Sequence, residues 1–264
     1  MPVGYAAVDI PFALRDGRVW IPLRINGEAA QAIFDTGADG TGIDTEVAMR
    51  LGLRTEGGSK GSTVAGEIEL QRTGSVEFDI SGRHLEAKEV VVLPLASQIP
   101  GLQAILGFDV LREMPFTVDY GRSRIDLDAL PSGRGIPFAL DGDIRPTTWL
   151  ETLGDRFQAH LDTGSSRGVS LPLEWVKANA PELLKDETQR EILGEVITSR
   201  RFTLEKVRLG GVELQRIPGE AVAAEGGSFA DQQTRWANVG NGLLKRFRLG
   251  IDGRRRESVF ELVE

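Results

Sequence analysis

The feature that most constrains this chain is that it is written twice. The segment Gly27-Glu28-Ala29-Ala30-Gln31-Ala32-Ile33-Phe34-Asp35-Thr36-Gly37 returns as Gly154-Asp155-Arg156-Phe157-Gln158-Ala159-His160-Leu161-Asp162-Thr163-Gly164. The offset, from Asp35 to Asp162, is 127 residues, and Gly, Gln, Ala, Asp, Thr and Gly coincide. A second echo follows at an offset of 128: Val64-Ala65-Gly66-Glu67-Ile68 answers Ile192-Leu193-Gly194-Glu195-Val196, Val76-Glu77 answers Leu204-Glu205, and Gly82 answers Gly210. A third stands at 133, where Ile105-Leu106-Gly107 corresponds to Asn238-Val239-Gly240 and Val118-Asp119 to Ile251-Asp252. Three blocks in one order, separated by small insertions, define a tandem duplication. The turn-rich stretch Ala129-Leu130-Pro131-Ser132-Gly133-Arg134-Gly135 reads as a short connector. The expected units are therefore residues 1–130 and 131–264, each of ordinary domain size.

Local signals within each copy are mostly those of strands. The 32 glycines favour many tight turns. Val19 to Ile25, then Asn26-Gly27, then a second apolar run predicts a hairpin, because Asn-Gly suits the tightest strand-joining turn. Pro22 lacks a backbone N–H, which predicts an edge position for that strand. Period-two alternation over Glu67–Leu70 and Ser75–Ile80 is again strand-like. Helical spacing is confined to Thr45–Leu51 and Leu173–Leu184, the second preceded by Pro172. Trp20, Trp149, Trp175 and Trp236 are expected in the core or between the two copies.

Composition removes several functions. With no cysteines, disulfides, thiol nucleophiles and thiolate metal sites are excluded, and only His84 and His160 could serve a histidine-based site. A net charge of −8 opposes nucleic-acid binding, and Arg254-Arg255-Arg256 after Asp252-Gly253 reads as a solvated hairpin turn. No apolar run of 18 or more residues occurs, so no membrane association is expected. Residues 1–20 lack the pattern of a secretory leader, which predicts a cytoplasmic protein.

What remains is the repeated Asp-Thr-Gly. The apolar run Ala32-Ile33-Phe34 carries the backbone out of a core to Asp35, where the strand breaks into a turn. Thr supplies a hydroxyl that can bond neighbouring backbone from the interior, and Gly permits close approach of another segment. Two such loops on duplicated units can bring two carboxyls face to face. Such a pair cannot ionise fully at low cost, so it retains one proton and offers a base and an acid together. Pepsin and related proteases are the standard illustration of this effect.

Phe34-Asp35-Thr36-Gly37-Ala38 resembles the signature of retroviral-type aspartic peptidases, and Leu161-Asp162-Thr163-Gly164-Ser165-Ser166 that of the pepsin type. Ile105-Leu106-Gly107-Phe108 resembles the later apolar-apolar-Gly block of the same folds. The resemblance implies a mainly β fold of two tandem retropepsin-like barrel lobes, related by a pseudo-twofold axis and carrying short helices. It implies an aspartic endopeptidase with Asp35 and Asp162 as catalytic pair, supported by Thr36, Gly37, Thr163, Gly164 and Ser165. Thr36 and Thr163 would interlock the two loops. Ala65, Gly66, Leu193 and Gly194 would lie on flaps over a polypeptide substrate. Neither cofactor nor metal is required, and the chain would act as a monomer.

Simpler readings compete. Asp-Thr-Gly suits a plain turn, and Asp35, Asp39, Gly40 and Glu46 match part of a calcium-loop spacing, although Gly37 occupies a ligand position and the preceding segment reads as strand. His160 falls on the same strand face as Asp162, where a packed histidine is the simpler reading. Polar Asn238 where the first copy has Ile105, Ala38 against Ser165, and flaps without a tyrosine depart from the family pattern. They leave an alternative: a weak or inactive bilobal module that binds peptides or regulates.

Overall fold

The structure is a computed structural model that describes residues 8–63, 66–141, 145–184, 186–192, 195–223 and 235–263. Side chains are described for these except at 59–63, 66–69, 141, 186–192 and 195–197. The described residues are mainly β, organised as three sheets with a few short helices. Among the described residues, no helix is long and apolar enough to cross a membrane.

One ten-stranded sheet uses only strands from Ala13 to Leu106, and one eight-stranded sheet only strands from Ala139 to Val239. The third, of six strands, draws on both ends of the chain. Val8–Pro11, Pro115–Asp119 and Arg124–Leu127 lie beside Phe247–Asp252, Glu257–Leu262 and Ile136–Pro137. Its central pairing runs antiparallel from Pro115 opposite Asp252 to Asp119 opposite Arg248, with Thr117 opposite Gly250. Its central strands are buried on both faces, Phe116, Val118, Leu249 and Ile251 on one and Thr117 and Gly250 on the other. Pro131 of the Ala129–Gly135 connector lies against Gly250, where a Cβ would meet its Cδ at 2.4 Å.

Hairpin chemistry is local and repeats. Asn26 and Gly27 both take positive φ (46° and 87°) between Arg18–Ile25 and Glu28–Phe34, as a two-residue turn matched to strand twist demands. Leu153-Gly154 does the same (53° and 76°) between Arg145–Thr152 and Asp155–Leu161. Pro22 does not mark an edge strand. Arg18–Ile25 pairs with Glu28–Phe34 on one side; on the other, Ala13–Arg15 covers Arg18 to Trp20 and Val76–Ile80 covers Arg24 and Ile25. Pro22 falls in the gap between those two partners, so its missing N–H breaks no described ladder bond there.

Three further expectations need correction. The helix from Leu173 ends at Asn179, because Pro181 forces Ala180 out of helical geometry (φ −149°, ψ 53°), and Pro181–Leu183 forms only a 3₁₀ turn. Gly82 does not answer Gly210. The turn residues with positive φ are Ser81-Gly82 and Gly210-Gly211, an offset of 129, because burial alternation slips by one residue between Leu204 and Val207. Trp149 is not buried: it is 48% exposed, with the Arg156 guanidinium 4.1 Å from its ring centroid.

Candidate active site

Each Asp-Thr-Gly loop leaves the end of a strand that is clamped by a later, parallel strand. Glu28–Phe34 pairs with Ala104–Leu106, placing Ile33 opposite Ile105 and Phe34 opposite Leu106. Asp155–Leu161 pairs with Trp236–Val239, placing His160 opposite Asn238 and Leu161 opposite Val239. The clamp continues into each loop: Asp35 N donates to Leu106 O at 3.0 Å, and Asp162 N to Val239 O at 2.9 Å. Both aspartates therefore begin where sheet pairing ends, on backbone that cannot shift without breaking the ladder. The glycine of each later block is required by close approach. A Cβ on Gly107 would meet Gly40 backbone at 2.6 Å, and one on Gly240 would meet Arg167 O at 2.6 Å. The buried Thr41 hydroxyl accepts from Gly107 N and donates to Asp109, which ties the first loop further.

The two loops are joined through their threonines. Thr36 N donates to Thr163 Oγ1 and Thr163 N to Thr36 Oγ1, both at 3.1 Å. Thr36 Oγ1 donates in turn to Leu161 O, and Thr163 Oγ1 to Phe34 O at 2.6 Å. Both threonines are fully buried, so these four bonds form where water cannot replace them. The glycines then let the loops touch. A Cβ on Gly37 would lie 2.4 Å from Asp162 Cγ, and one on Gly164 2.1 Å from Asp35 Oδ2.

The result is a coupled pair of carboxyls, Asp35 beside Asp162, each only partly exposed. Desolvation pushes the Asp35 carboxyl far above the usual carboxylate range, to about 8, and the negative charge of Asp162 adds to this. Gly37 N and Ala38 N, donating to Asp35 Oδ1 at 2.8 and 3.1 Å, oppose the rise only in part. Desolvation also raises Asp162. The foremost opposing influence there is a side chain, Asn238, whose Nδ2 donates to Asp162 Oδ2 at 2.7 Å. Gly164 N donates to Asp162 Oδ1 at 3.0 Å.

The sequence-derived candidates are thus distributed unevenly. Asp35, Thr36, Gly37, Asp162, Thr163 and Gly164 converge in one cluster. Ser165 contributes through its backbone near Asp162, while its hydroxyl accepts from Arg167 N at 3.3 Å. Gly66 begins a strand, Gly66–Thr73, with its Cα opposite Thr63. Ala65, Leu193 and Gly194 lie outside the described residues. His160 is buried, its ring tilted against Trp236 with centroids 5.1 Å apart. Among the described residues, no group of three or more metal-ligating side chains could hold a metal ion.

Sequence reasoning missed two participants. Asn238 interrupts an apolar block in the sequence, and its amide contacts a carboxyl. Asn241, at the place of Phe108 in the first copy, donates to Thr163 O at 2.6 Å and to Gly17 O at 2.8 Å, and accepts from the Tyr120 hydroxyl. Tyr120 is partly buried, and desolvation together with the nearby charge of Asp162 opposes its ionisation. The available signal was polarity at two places where the other copy is apolar.

A comparison with curated proteins found no match. Residues 21–110, which include the Asp35 loop and the Ile105-Leu106-Gly107 block, match the sequence model of a family described as aspartyl protease, and this match supports an aspartic protease family for the chain.

Proposed function

We propose that the chain is an aspartic endopeptidase that hydrolyses polypeptides with Asp35 and Asp162 as its catalytic pair. One observation carries the reading: two carboxyls stand together, each packed on the glycine of the other's loop, and the loops are locked by reciprocal threonine bonds. A pair held this way keeps one proton over a broad pH range, so a base and an acid stand side by side. The ionised carboxylate takes a proton from water as the water oxygen bonds to the peptide carbonyl carbon. The protonated carboxyl gives its proton to the carbonyl oxygen. As the C–N bond of the resulting gem-diol breaks, the carboxyl that took the water proton gives it to the nitrogen and the other carboxylate takes a diol proton. Acid and amine leave, and the pair again holds one proton.

In this reading residues 1–130 and 131–264 form two retropepsin-like lobes about a pseudo-twofold axis. Equivalent strand registers around Asp35 and Asp162 support this, as does the central pairing of the six-stranded sheet, where Thr117 faces Gly250 at the same offset of 133 that relates Gly107 to Gly240. The hairpins that carry Gly66 and Glu195 would be the flaps, and a substrate strand would pair with them through its backbone. Both halves of the site lie on one chain, so a monomer suffices.

The test is cleavage of an unfolded polypeptide between pH 3 and pH 7, with and without pepstatin. Asp35→Asn and Asp162→Asn should each lower the rate at least about 100-fold, the lower end of what general acid–base catalysis contributes. Cleavage that survives in both variants overturns the peptidase reading; binding of the polypeptide without turnover in the wild type favours a peptide-binding module.

A further inference from the structure

The two carboxyls have different neighbours. Asp35 Oδ1 accepts from two backbone amides, and its carboxyl lies beside that of Asp162 and against Gly164. Asp162 accepts from a backbone amide on Oδ1 and from the side-chain amide of Asn238 on Oδ2. Asn238 stands in a strand paired on both sides, opposite His160 and opposite Ser170, so its backbone is fixed and its side chain is aimed from a rigid base. An amide N–H favours a charged acceptor over a protonated one.

We propose that Asn238 is a positioning residue that decides the division of labour in the pair. Its amide holds Asp162 as the carboxylate that accepts the proton of water and leaves Asp35 as the acid. The charged and titratable groups around Asp162 agree with this order. Asp35, across the loop contact, becomes harder to ionise once Asp162 is charged. Tyr120 stays neutral. His160, in the same strand, is buried against Trp236. Glu220, reached through Ser170, which donates to it at 2.9 Å, is paired with Arg167 at 3.5 Å. In the first copy the place of Asn238 is held by Ile105, which has no donor to offer Asp35.

The catalytic consequence rests on the peptidase reading, but the ionisation order does not, and it can be measured without activity. The experiment is a pH titration of the aspartate carboxyl carbons by NMR in the full chain labelled with 13C-aspartate. Asp35→Asn and Asp162→Asn serve to assign the two signals. Asn238→Leu keeps the shape of the side chain without its donor, and Asn238→Ala serves if leucine disturbs folding. In the wild type Asp162 should ionise in the lower step and Asp35 in the upper. In the Asn238 variants the lower step should rise by about one pH unit, the scale of one hydrogen bond to a charged group. The acidic limb of kcat/KM should move with it. An unmoved lower step, or Asp35 ionising first in the wild type, overturns the assignment. A chain that titrates as expected yet cleaves nothing leaves this assignment standing and removes the peptidase reading.

Discussion

The surroundings of Asp35 and of Asp162 are the same scaffold with opposite polarity. Beside Asp35, laterally paired positions hold Ile33, Ile105, Gly42 and Val91. Ile33 and Ile105 belong to a small apolar cluster with Trp20, Leu95 and Leu102. Beside Asp162, the matching row is His160, Asn238, Ser170 and Glu220. Three of these four polar residues are at least 96% buried: Ser170 bonds Glu220, Glu220 pairs with Arg167, and the His160 ring lies tilted against Trp236. The threonine bonds, by contrast, are nearly identical in the two loops. The two loops thus share what holds the carboxyls together and differ in what lies beside them.

That contrast can be broken at its common part first. Thr36→Val and Thr163→Val each delete a buried hydroxyl that both accepts and donates across the loop contact. Each leaves one N–H and one carbonyl unsatisfied, at about 1–3 kcal/mol apiece. Both variants should lose roughly 2–5 kcal/mol, by similar amounts, in denaturant unfolding. Unequal losses would show that the two loops are not held alike.

The differing part is sharpened by pH. The folded-state pKa of Asp35 is raised, so its protonation stabilises the fold at low pH and that stability is lost as pH rises from its ordinary value of 3.8 toward about 8. Inside this window the wild type should lose about 1.4 kcal/mol between pH 6 and pH 7 through this group. Asp35→Asn carries no such proton and should show a flatter profile, read from thermal unfolding at each pH. A wild-type profile that is already flat would refute the strong burial of the charge.

The smallest expected effect concerns the two hairpin turns. Asn26 suits its positive φ, and its Oδ1 also accepts from Glu77 N at 3.0 Å, whereas Leu153 adopts nearly the same φ without such compensation. Leu153→Asn should stabilise the chain by about 0.5–1 kcal/mol, because asparagine tolerates the left-handed region better than leucine does. A lower unfolding midpoint would mean that leucine's contacts at this 38%-exposed position outweigh its strain.

Much of this organisation was legible in the residues. Repetition located both aspartates and the glycines at 107 and 240, and turn chemistry located Asn26-Gly27, because each depends on repeated spacing or on local backbone chemistry. Strand edges were less legible. Pro22 spoke for an edge, yet a central strand can accommodate it where neither partner on one side reaches. The helix after Pro172 was overextended because apolar spacing continued past Pro181, although the proline cannot let Ala180 stay helical. Asn238 shows the limit most clearly: beside Ile105 it reads as a weakened apolar position, and nothing in its neighbours along the chain says that its side chain meets a carboxyl.

The sequence by itself determined the repeated segments, the mainly β character and the positions of the two Asp-Thr-Gly motifs, since composition, periodicity and repeated motifs are properties of the chain alone. Only the tertiary structure decided that Thr36 and Thr163 exchange bonds across 127 residues, that the two carboxyls touch, and that Asn238 leans on one of them. Those are contacts between distant segments. Their existence depends on which strands pair and in what register, and their charge on how much water the packing excludes.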